Sequence, residues 1–141
     1  MKKIIGFLQL IRFPNSFLSG LGVIIGLHVS YPRWYLENFN LFFTNVEGIL
    51  LGIFAFLVGF FITSYSMILN DYVDYETDII NNPNKPLPSG LFSKRTALIL
   101  SIIFLTLGIL STVIIFNYLS FLFVITGILI GYFYNFHLKK K

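Results

Sequence analysis

Between Gly48 and Asn70 the chain runs for 23 residues without a single charged side chain. A helix needs about 20 apolar residues to cross the hydrocarbon core of a bilayer, so this run fixes the solvent before it fixes anything else. Two further runs have the same character. Phe13 to Pro32 supplies 20 uncharged residues between Arg12 and Arg33, and Thr96 to Leu138 supplies 43, too long for one span and suited to two joined by a tight turn at Asn117. Only 11% of the residues are charged, against roughly a quarter in soluble domains, and the mean hydropathy is +0.81. Backbone groups in lipid must be satisfied internally, which selects helices over an open sheet. The expected fold class is therefore an all-α membrane protein with four transmembrane helices, near residues 14–31, 48–71, 94–116 and 118–138. A short interfacial or amphipathic helix is expected ahead of them, within residues 1–13.

Lys2 and Lys3 before an apolar stretch have the look of a signal peptide, but Arg12 and Pro14 interrupt the run and no small-residue cleavage site follows. The segment is expected to be retained. With no cysteine, neither a disulfide framework nor a thiolate metal site is available. Four spans put the N-terminus, the loop between spans two and three, and the C-terminus on one side of the lipid bilayer. Nine of the ten basic residues fall there, with Arg33 alone opposite. By the positive-inside rule that side is cytosolic, in a multi-pass protein expected in the cell membrane. The net charge of +4 is then a matter of topology and calls for no nucleic acid.

The same assignment gives the stretch NDYVDYETD, Asn70 to Asp78, a cytosolic setting directly behind the second span. Four of the chain's six acidic residues lie in it. If the span continues as a helix at about 100° per residue, Asn70, Asp74, Asp78 and Asp71 fall at roughly 0°, 40°, 80° and 100°, while Glu76 points away at about 240°. One face then carries three carboxylates and an amide. Like charges one turn apart oppose the helix, and a divalent cation removes that penalty. Magnesium suits the set, because it takes one or two carboxylates, keeps waters and completes its shell with phosphate oxygens. A calcium-binding EF-hand loop fits less well than magnesium, since Glu76 and Asn82 stand where its glycine and glutamate would be.

Behind the acidic stretch comes INNPNKPLPSG, Ile80 to Gly90. Pro83, Pro86 and Pro88 stiffen it against helix, Ser89-Gly90 offers a turn, and Ser93 is placed to cap the third span. Lys85 sits where its ammonium can meet a phosphate; the alternative is a connector whose lysine merely snorkels to the surface. His28 and His137 lack partners at metal spacing and read as structural. Gly20, Gly22, Gly26, Gly127 and Gly131 read as helix-packing residues.

Together, NDYVDYETDIINNPNKPLPSG resembles the first aspartate-rich motif of the UbiA family of intramembrane prenyltransferases, N-D-x-x-D-x-x-x-D followed by R-P-L-P-S-G. The match takes in Asn70, Asp71, Asp74 and Asp78, then Pro86 to Gly90, with Lys85 in place of the usual arginine. LIRFPN (Leu10 to Asn15) and YNFHLKK (Tyr134 to Lys140) are similar to the segments that begin span one and close span four. The wording is closer to the geranylgeranylglyceryl phosphate prenyltransferases of ether-lipid synthesis, and to chlorophyll-synthase-like members, than to the haem or ubiquinone branches. The resemblance implies Mg2+ held by Asn70, Asp71, Asp74 and Asp78, with Asp74 and Asp78 as catalytic residues. It further implies diphosphate contacts from Arg12, Lys85 and Lys139, a polyprenyl diphosphate donor, and a lipid or aromatic acceptor.

The resemblance also implies a nine-span bundle of roughly twice this length with a second aspartate motif. The six acidic residues of this sequence do not supply one. The expectation is the N-terminal half of such a bundle, residues 14–141, as a truncated frame, as one of two chains that complete each other, or as a self-associating half. A non-enzymatic four-span binding or assembly subunit is the other reading. The D-G-x-x-A-R segment of the CDP-alcohol phosphotransferases is absent.

Overall fold

The computed structural model of the protein describes residues 1–30, 46–115 and 118–138, and among these every regular element is helical. Helix α1 (Lys2–Leu10) meets α2 (Phe13–Ser30) at Arg12, whose φ of 46° lies in the left-handed region. A non-glycine residue reaches that region at a cost of about 1–2 kcal/mol, so the surroundings must hold it there. The Arg12 amide donates to the Gln9 carbonyl at 3.0 Å, and the Arg12 carbonyl accepts from the amides of Asn15 and Ser16 at 2.9 and 3.2 Å. The buried Ser16 hydroxyl donates to the Ile11 carbonyl at 2.8 Å. One residue thus ends one helix and starts the next, and the two axes differ by 48°.

Helix α3 (Val46–Val73) contains the whole uncharged run of 48–70, and a short helix α4 (Tyr75–Asn81) follows it. After a loop come α5 (Lys94–Ile115) and α6 (Tyr118–Phe133), the latter opening into one π-helical turn over Tyr134–Leu138. By length and apolarity, α3 and α5 qualify as membrane spans, and α1 with α2 make a third if the bent pair counts as one. The apolar stretch in α6, Phe121–Phe136, is shorter. Four spans were expected; among the described residues two helices, or three if the bent pair counts as one, meet the length of a bilayer. The expected corner at Asn117 lies outside the described residues. The protein is an integral membrane protein.

Helix α3 is central, with α2 on one side and α5 on the other. Where α2 crosses α3, a Cβ on Gly59 would lie 2.6 Å from the Ser19 carbonyl oxygen, and one on Gly20 would lie 2.6 Å from the Phe56 ring. The two backbones therefore touch, as small residues permit in lipid. Gly22, Gly26 and Gly127, also expected to pack, would meet nothing within 4 Å with a Cβ added, and Gly131 only the Ser66 hydroxyl at 3.9 Å. Edge contacts between Phe17 and Phe56, Phe13 and Phe60, and Phe61 and Phe104 tie the three helices together, with ring centroids 5.4 to 6.0 Å apart. The buried core of Leu10, Ile11, Tyr65, Ile68, Leu69, Leu87, Ala97 and Phe104 lies at the end of the bundle that carries the acidic stretch.

Candidate functional site

The acidic stretch is not one unbroken helix. Helix α3 stops at Val73 and α4 begins at Tyr75, with Asp74 between them. Aspartate competes with regular helix through its short polar side chain, which makes it a common break. Helical bonding nevertheless carries across, because the Asp74 amide donates to the Asn70 carbonyl at 2.9 Å and the Asp78 amide to the Asp74 carbonyl at 2.8 Å. The expected shared face survives the break for Asp71 and Asp78. Both are buried, at 4% and 5% exposure, and both reach the ammonium of Lys85.

Lys85 Nζ lies 3.2 Å from Asp71 Oδ1 and 2.7 Å from Asp78 Oδ2. The Arg12 guanidinium reaches the same Asp71 oxygen at 3.4 Å, and the Asn82 amide donates to Asp78 Oδ1 at 3.0 Å. Asn70 and Asp74 instead pair with each other, Nδ2 to Oδ2 at 3.2 Å. Glu76 points away as expected and meets Lys94 at 3.3 Å in solvent. The Lys94 ammonium also lies 4.8 Å from the centre of the Tyr75 ring and 5.6 Å from that of Tyr72.

The loop that delivers Lys85 is stiff, as its three prolines foretell. Turns close at Lys85 to Asn82, Ser89 to Lys85 and Gly90 to Leu87, each at 3.0 to 3.1 Å, and Gly90 takes the φ of 75° that its turn needs. Leu87, 2% exposed, roots the loop in the core. Ser93 is the expected cap: its hydroxyl accepts from the Thr96 amide at 3.0 Å.

Burial pulls the Lys85 ammonium down, but its bonds to Asp78 and Asp71 outweigh that and hold it above the ordinary lysine value of 10.5. It is charged at any physiological pH. Beside it opens a cleft of about 460 Å³ lined by Gln9, Arg12, Asp71, Asn82, Asn84 and Lys85, among others. Gln9 and Asn84 did not stand out in the sequence. Gln9 arrives through the bend at Arg12, where Arg12 and Pro14 signal an interruption but not the left-handed turn that sets its direction, whereas the asparagines of INNPN are a local signal for the loop side of the cleft.

The expected metal ligands can be tested against this geometry. Two hard-oxygen donors, one each from Asp71 and Asp78, converge within 3.2 Å of a single cation, the Lys85 ammonium, which stands in for a metal ion between them. That donor chemistry fits magnesium. Among the described residues no group of three or more acidic, histidine or cysteine side chains is arranged around one ion position. Asn70 and Asp74 form a separate pair in this conformation. Lys139, and the side chains of His28 and His137, lie outside the described residues. Near the far end of α6, Asn135 is 4% exposed with its Oδ1 unpartnered among the described residues, a buried polar group that the sequence did not single out.

Residues 41–141 match the UbiA prenyltransferase family. The chain belongs to the UbiA prenyltransferase family. Among curated relatives it is similar to the digeranylgeranylglyceryl phosphate synthase of Thermococcus sibiricus, with 35% identity over 96% of this chain and 44% of the relative. The corresponding synthase of Saccharolobus solfataricus is 37% identical over 95% of this chain and 43% of its own length. A solved structure described as giving insight into digeranylgeranylglyceryl phosphate synthase in membranes superposes with a TM-score of 0.80 at 33% identity, over 99% of this chain and 46% of that one. This UbiA chain therefore spans under half the length of the relatives it matches.

Proposed function

We propose that the chain provides the first aspartate site of a magnesium-dependent prenyltransferase of ether-lipid synthesis. In this reading the site moves a polyprenyl group from its diphosphate to a lipid acceptor. The observation that carries it is the convergence of Asp71, Asp78, Lys85 and Arg12 in one ion-pair cluster, with Arg12, Asp71 and Lys85 lining the cleft beside it. Family membership and similarity to digeranylgeranylglyceryl phosphate synthases support it.

Asp71 and Asp78, with Asn70 and Asp74 beside them in sequence, are the residues that would hold magnesium. When bound, the metal neutralises charge on the departing diphosphate. Lys85 and Arg12 bind the diphosphate oxygens, and Lys139 is a further candidate for that role. The stiff loop orients Lys85, which limits the entropy lost on binding. As the allylic C–O bond breaks, the diphosphate leaves with the electron pair. The acceptor hydroxyl oxygen then bonds to the allylic carbon, and its proton passes to a diphosphate oxygen. The apolar helices below exclude water from the cation. A cytosolic orientation fits the basic residues around the site and the water-soluble head of the donor.

The reading includes a division of labour: the second aspartate motif of the family is contributed by sequence beyond these residues, in a longer chain or a companion. Purified protein is expected to retain labelled geranylgeranyl diphosphate only with Mg2+, and to lose it on Asp74→Ala. Metal-independent retention overturns the reading, and no retention favours a plain assembly subunit. Transfer to geranylgeranylglyceryl phosphate is expected to be absent with these 141 residues alone and to return on adding the C-terminal half of a relative.

A further inference from the structure

The proposed function gives Lys85 a phosphate to hold, yet its ammonium is already engaged with one oxygen from each of two buried carboxylates. It sits where a divalent cation bridging Asp71 and Asp78 would have to bind. Arg12 adds a second positive charge on the same Asp71 oxygen at 3.4 Å. These four groups sum to zero, so a metal ion arriving alone finds little net attraction from them. To bind between the carboxylates it must also displace the ammonium from both of its carboxylate partners.

Resting on the function proposed above, we infer that Lys85 is a resident counter-ion that withholds Asp71 and Asp78 from a divalent cation until a diphosphate arrives to receive it. Metal and diphosphate then load together, and the metal does not load first. The local geometry suits such an exchange. The Lys85 backbone is pinned by the turns to Asn82 and Ser89 and by Leu87 in the core, so the loop need not open. The cleft beside the lysine lets its flexible stem carry the ammonium to a phosphate by rotation alone. By linkage, whatever factor diphosphate adds to metal affinity, metal adds to diphosphate affinity.

The test uses the purified protein in detergent, Mn2+ followed by electron paramagnetic resonance, and inorganic pyrophosphate as the anion. For the unaltered protein, pyrophosphate is expected to strengthen Mn2+ binding by about tenfold or more. Lys85→Met, which removes the charge and keeps the length, is expected to bind Mn2+ about tenfold more tightly than the unaltered protein when pyrophosphate is absent, with the enhancement by pyrophosphate reduced. Lys85→Arg should keep the weak metal binding. Equal or weaker Mn2+ binding by Lys85→Met overturns the inference while leaving the proposed function standing, provided Mn2+ and pyrophosphate still bind together. Should Lys85→Met fail to fold, equal Mn2+ affinity of the unaltered protein with and without pyrophosphate overturns it as well. Absence of Mn2+ binding under every condition overturns both.

Discussion

Within one acidic stretch two pairs of residues make opposite use of their oxygens. Asp71 and Asp78 are buried and spend theirs on cations from elsewhere in the chain, Lys85 and Arg12. Asn70 and Asp74, one turn apart, bond to each other. The first pair fastens three segments together: the joint between α1 and α2, the end of α3 with α4, and the proline loop. The second pair is a local contact across the helix break. Two carboxylates of one stretch therefore differ in what their loss should do to the fold.

The sharpest way to break the comparison is to remove one carboxylate from each pair. Asp78→Ala leaves a partly buried ammonium without its shortest partner and should cost about 2 kcal/mol, less than a fully buried ion pair because Lys85 is partly solvated. Asp74→Ala should cost under about 1 kcal/mol in the same thermal-melting assay, since Asp74 is only part-buried and its bond to Asn70 is local. Comparable losses from the two would erase the distinction. A smaller effect separates the two duties of Arg12. Arg12→Ala loses both the ion pair and the long side chain while keeping a strained φ, whereas Arg12→Gly relieves the strain; the glycine variant should be the more stable by about 1 kcal/mol. Ser93→Ala is expected to cost about 1 kcal/mol through the lost cap of α5. Glu76→Gln, at the exposed pair with Lys94, should change stability by less than about 0.5 kcal/mol.

The pH dependence follows from Lys85. Its folded-state pKa is raised, so its ion pairs contribute fully below the ordinary lysine value of 10.5 and are lost only as the pH climbs through the higher folded value. Melting temperatures between pH 6 and 9 should show no step that disappears in Lys85→Met. A step in that window would mean the ammonium is not held as the geometry describes.

Much of this end of the molecule was readable in advance, for reasons that can be named. Helical period alone put Asp71 with Asp78 and turned Glu76 outward, and bonding through Asp74 kept that phase despite the break. Proline chemistry and a serine at the right offset gave the stiff loop and the cap of α5. Arg12 could be suspected, but its approach to Asp71 depends on a left-handed arginine, a conformation no propensity favours. The lining by Gln9 follows from the same joint and was equally hidden. Hydropathy located the runs that form α3 and α5, but it measures how apolar a run is and not where its backbone bends at Arg12 or opens into a π turn.

Leu87 gives the loop a mechanical meaning. It lies two residues from Lys85 and is sunk among Leu10, Ile68 and Ala97 on three different helices. Leu87 is thus a peg that holds the loop backbone to the bundle, so any displacement of the Lys85 ammonium is confined to the swing of its own side chain and leaves the helices where they are.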